Sequence, residues 1–98
     1  MNFTNETIRK GNSVIGDFRM DYVVTYIGEN NVTNINAQIK KLNTDINGTK
    51  SEKYVGSVGM DMAADRFSFS IVDNKVVNAD ERAILYNEFE KSIKTIMG

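Results

Sequence analysis

Residues 17–27 read "DFRMDYVVTYI", and the fold turns on how they are read. Phe18, Met20, Tyr22, Val24 and Tyr26 alternate with Asp17, Arg19, Asp21, Val23 and Thr25, the period-two pattern of a strand with one face in a core. "GENN" (28–31) follows as a turn, because Gly and Asn adopt positive φ at little cost. In "TNINAQI" (33–39), Thr33, Ile35, Ala37 and Ile39 then alternate with Asn34, Asn36 and Gln38. Val32, Ile35, Ile39 and Leu42 also fit helical spacing, but the density of Asn and the preceding turn favour a strand. The two runs predict a hairpin.

Working outward, the polar stretch 43–53 reads as a long loop, functional or mobile by its length. Beyond it "YVGSVGMDMAADRFSFSIV" (54–72) places Tyr54, Gly56, Val58, Met60 and Met62 on one parity and Phe67, Phe69 and Ile71 on another after an "AADR" turn. That is a second hairpin, with Gly56 and Gly59 marking a bulge or a close backbone approach. The N-terminal "FTNETIRK" is weakly patterned and adds at most a fifth, edge strand before a turn at Gly11 and Asn12. Residues 78–97 form a helix: Asn78 with Glu81 is a capping-box start, Asp80 and Lys94 suit the helix dipole, and Leu85, Tyr86, Phe89, Ile93, Ile96 and Met97 form one stripe. The expected fold is α+β: one domain over residues 1–98, a two-layer sandwich in which a four- or five-stranded antiparallel sheet carries the C-terminal helix on one face.

Composition narrows the function. Twelve Lys and Arg against 13 Asp and Glu give a net charge of −1, which removes the usual electrostatic case for nucleic-acid binding. Without Cys or His, the chain has no disulfide framework, no thiol nucleophile, and neither the commonest general base nor the commonest transition-metal ligand. The expectation is therefore a protein that is not an enzyme and holds no cofactor or metal. The start has no apolar leader segment and no stretch is apolar enough to span a membrane, so the chain is expected to be cytoplasmic. The abundance of Asn, Ile and Lys suggests AT-rich coding DNA, as in low-GC bacteria, their phages and mobile elements.

Asn43, Asp45, Asn47 and Gly48 copy the first half of an EF-hand loop, but Tyr54 stands where the bidentate Glu is required, so a turn is expected there instead of calcium. Asp61 and Asp65 beside Arg66 read as a solvated turn. Recognition by surface remains. Val23, Thr25 and Ile27, with Val55 and Val72 from neighbouring strands, are expected on the sheet face away from the helix, as an interface with another protein or with a second copy in a homo-oligomer, a dimer first of all. The leading expectation is a non-catalytic interaction module, an inhibitor or adaptor of the kind phages encode, binding through that face or an edge strand. The alternatives are a nucleic-acid-associated protein using Lys40, Lys41, Lys50 and Lys53 at a loop end, a self-assembling structural protein, and a small-ligand binder with space left by Gly56 and Gly59.

Overall fold

The computed structural model describes residues 6–28, 31–72 and 75–98. Its elements are β1 (Glu6–Ile15), β2 (Phe18–Ile27), β3 (Asn31–Thr44), β4 (Lys50–Asp61), β5 (Arg66–Ile71) and α1 (Ala79–Met97). The strands form one five-stranded antiparallel meander in the order β1-β2-β3-β4-β5. The α+β expectation holds, and the fifth strand is present.

On β2 the alternation does what it predicts, burying Phe18, Met20, Tyr22, Val24 and Tyr26. The expected turn at Gly11 and Asn12 is corrected: β1 runs straight through both to Ile15, and the turn begins at Gly16, whose φ of +57° suits a two-residue hairpin with Asp17. Nothing in "ETIRKGNSVI" is buried. This strand exists because each residue from Glu6 to Ile15 finds a partner on β2.

The ambiguity of the next run resolves as a strand carrying a bulge. Thr25 pairs with Asn34 but Tyr26 pairs with Val32, leaving Thr33 as the extra residue; its hydroxyl donates to the Thr25 carbonyl at 3.3 Å. The bulge puts Val32 and Ile35 on the core face although they lie three residues apart. That spacing is what imitated a helix.

The long loop 43–53 is also corrected. β3 and β4 continue as a ladder, with Asn43 opposite Ser51 and Thr44 opposite Lys50, and only residues 45–49 turn. Both faces of this arm are solvated from Asn43 to Tyr54, so no apolar alternation was needed to build it. A second bulge lies at Val55, between the Lys40–Tyr54 and Ile39–Gly56 pairs. It turns Val55 into the core, 2% exposed, and leaves Tyr54 exposed beside Lys40. Gly56 is required here, since a Cβ would collide with the backbone oxygen of Ser70.

The helix begins at the expected capping box, with Asn78 Oδ1 accepting from the Glu81 amide at 2.9 Å and Glu81 Oε1 accepting from the Asn78 amide at 3.0 Å. Leu85 and Phe89 are fully buried. Phe89 stacks on Tyr22, with centroids 6.2 Å apart, and meets Phe67 edge-on at 5.8 Å. Ser92 Oγ donates to the Tyr22 hydroxyl at 2.8 Å. One core cluster therefore joins β2, β3, β4 and α1, with Ile15 of β1 packed only at its margin.

Candidate functional site

The sheet face away from α1 gathers part of the expected interface. Val23, Thr25 and Ile27 share that face of β2, and Val23 and Ile27 are 36% and 38% exposed. Ile8 of β1 stands directly opposite Thr25 and is 57% exposed, so it closes the strip between Val23 and Ile27. Val14, farther along β1, is opposite Arg19 and is exposed as well. Ile8 and Val14 were hard to foresee, because isolated apolar residues in a polar run carry no period. The two remaining members are corrected. Val55 is in the core through its bulge, and Val72, though exposed, follows β5 at the opposite side of the sheet.

The strip adjoins an open edge. Among the described residues β1 has a neighbour on one side only; it contains no proline and pairs with β2 without a bulge. In a two-residue hairpin the flanking pair, Ile15 and Phe18, exchanges hydrogen bonds, and the alternation then directs the backbone groups of Ile8, Lys10, Asn12 and Val14 toward the free edge.

Next to Val14 the same face carries a four-membered charge cluster. Arg19 contacts Asp21 at 2.9 Å and Glu52 at 2.7 Å, and Lys40 contacts Asp21 at 3.1 Å and Glu52 at 3.7 Å. Burial pushes the Asp21 carboxyl up, but hydrogen bonds from Arg19 and Lys40 outweigh it and hold the group below its ordinary value. The hydrogen bond to Asp21 likewise raises Arg19. Two cations balance two anions, leaving little net charge to attract phosphate.

The expected basic loop end is divided by strand alternation. Lys40 belongs to the charge cluster on the outer face, whereas Lys41 points to the helix side, where Nζ donates to the Val76 carbonyl at 3.3 Å and lies 5.8 Å from the Phe18 ring centroid. Lys53 pairs with Lys41, and Lys50 pairs with Thr44 on the parity of Lys40. The four lysines do not share one surface.

Two other constellations are turns. Asp45 Oδ1 accepts from the amides of Asn47 and Thr49 at 2.9 and 2.8 Å, and Gly48 has φ +80°. Asp61 Oδ1 accepts from the amides of Ala63 and Ala64. These carboxylates satisfy backbone donors as Asx turns do. Among the described residues no group of three or more His, Cys, Asp or Glu is placed to hold a metal, and no helix is long and apolar enough to cross a membrane.

The space expected at Gly56 and Gly59 is filled by the Ser70 backbone at the first and by Asn36 and Ser68 at the second. A groove of about 340 Å³ lies elsewhere, on the helix side between β1 and α1, lined by Arg9, Gly11, Ser13, Tyr22, Tyr26 and Lys91 among others. Arg9 sits over the Tyr26 ring, 4.7 Å from its centroid. Ser13 Oγ is shielded from solvent there with no hydrogen-bond partner. No known protein family, curated protein or solved structure matches the chain.

Proposed function

We propose that this chain is a non-catalytic protein-interaction module that binds through the open edge of β1 and the adjoining strip of Ile8, Val23, Thr25 and Ile27. The observation that carries the reading is β1 itself. Folded proteins blunt long edges with charged side chains, proline, bulges or covering segments, and of these β1 carries, among the described residues, only charges, at Glu6, Arg9 and Lys10. Here a ten-residue edge strand has neither proline nor bulge, and its first seven residues are exposed. Strand addition supplies main-chain hydrogen bonds for affinity, while alternate side chains set specificity. An inhibitor or adaptor that extends a partner's sheet would use such an edge.

The test is nuclease-treated affinity capture from host lysate with three baits: the native chain, Asn12→Pro, and the pair Val23→Asp with Ile27→Asp. Proline at position 12 removes an N–H directed at the edge and leaves the β2 ladder intact. The reading expects a nuclease-resistant protein retained by the native chain and lost by both variants. Equal capture by all three baits, or recovery of nucleic acid alone, would contradict it.

A further inference from the structure

We infer that the partner fitting the β1 edge is a second copy of this chain, added antiparallel in the register centred on Gly11, so that two sheets join into one across a two-fold axis. The inference rests on the edge-binding role proposed above and names its occupant. Opposed residues in an antiparallel pair must point to the same face, so a symmetric β1–β1 pairing is centred on a residue. Only a few centres are open to it.

Centring on Arg9 or Lys10 sets that cation against its own copy, and like charges directly opposed are unfavourable. Centring on Asn12 sets Lys10 against Val14 and Arg9 against Ile15, charge on hydrocarbon. Centring on Ile8 carries the pairing only from Glu6 to Lys10 among the described residues and leaves Val14 bare. Centring on Gly11 carries it from Thr7 to Ile15.

That register resolves several features of the free chain together. On the outer face, Ile8 meets Val14 of the partner subunit, and the symmetric contact repeats it, so the two most exposed apolar side chains of β1 cover one another. Lys10 lies opposite the partner's Asn12, so no cation meets a cation. On the helix side Arg9 lies opposite the partner's Ser13, giving the unpartnered Ser13 hydroxyl an adjacent donor. Gly11 stands on the axis with open space above it. The groove between β1 and α1 then faces its symmetry mate, forming one cleft floored by both β1 strands. Such an isologous contact closes on itself and leaves no β1 edge to recruit a third copy.

A chain without cysteine makes the register directly readable. Opposed Cα atoms in an antiparallel pair are about 4.5–5.5 Å apart, within the range a disulfide spans. Single variants Gly11→Cys, Ile8→Cys and Val14→Cys are oxidised alone and in mixture, with Ile46→Cys, at a residue 99% exposed in the β3–β4 turn, as the collision control. Gly11→Cys should form a covalent dimer at least ~10-fold faster than the control. Ile8→Cys and Val14→Cys should each stay at the control rate alone and cross-link when mixed. A Gly11→Cys rate equal to the control, or faster self-linking by Ile8→Cys, would overturn the inference. So would a native chain that sediments as a monomer up to about 100 µM, a range in which even weak specific association is populated. If that monomer still captures a protein that Asn12→Pro loses, the second copy is excluded while edge binding stands; if capture survives Asn12→Pro, edge binding itself fails.

Discussion

β1 and β2 are strands of equal length, paired residue by residue, and their side chains meet opposite fates. β2 buries every second residue beneath α1, whereas β1 buries none. One strand is made by burial and the other by pairing. The consequence is an exposed edge: a strand held by one ladder leaves its other side without a strand partner among the described residues, and of its apolar residues only Ile15 reaches the margin of the core while Ile8 and Val14 stay exposed. The surface proposed for recognition is the part of the sheet that the helix leaves uncovered.

The contrast sets an order of expected effects. Phe89→Ala should cost about 3–5 kcal/mol in denaturant unfolding, because it empties a fully buried site that touches Tyr22 and Phe67. Gly56→Ala should cost about 1–3 kcal/mol by forcing a Cβ against the β5 backbone; a smaller loss would mean that the β4–β5 ladder slides. Asn78→Ala should cost about 1 kcal/mol through loss of the capping box. Ile8→Asp should change stability by no more than about 0.5 kcal/mol while abolishing association through the strip. Loss of fold there would show that β1 is needed by the core, erasing the distinction between the strands.

A further small effect is pH-dependent. Asp21 has its folded-state pKa depressed, so its contribution is present above the unfolded aspartate value and fades as pH falls through the lower folded value. Replacing Asp21 by Asn should remove that acid-side dependence and cost about 0.2–1 kcal/mol near neutral pH, as a partly solvated ion pair does. The comparison to make is of unfolding midpoints for both proteins from neutral pH down to below the ordinary aspartate range.

How much of this was legible follows the same division. The alternation of Phe18 through Tyr26 and the capping box at Asn78 each announce an element because burial or capping imposes a residue type at a fixed spacing. The two bulges broke the parity reading. An extra residue at Thr33 made a strand look helical, and one at Val55 exchanged the faces of Tyr54 and Val55. A bulge is a relation between two strands, so neither strand announces it alone. β1 was legible only as an optional edge strand ending before Gly11, and the β3–β4 arm read as a loop, for a related reason: with solvent on both faces, pairing constrains backbone more than composition. Of the candidate interface, Val23, Thr25 and Ile27 were readable as apolar or β-branched residues on the solvent parity of a certain strand, while Ile8 required the register.

The most direct test of the open-edge account is residue-resolved amide hydrogen exchange on the full chain over a dilution series. The account predicts that amides of β2, β3 and β4 exchange at rates independent of concentration, while those of Ile8, Lys10, Asn12 and Val14 gain protection as concentration rises. Protection gained instead around Lys50 and Lys53, with those four β1 amides exchanging freely at every concentration, would contradict it and move the contact surface to the β3–β4 arm.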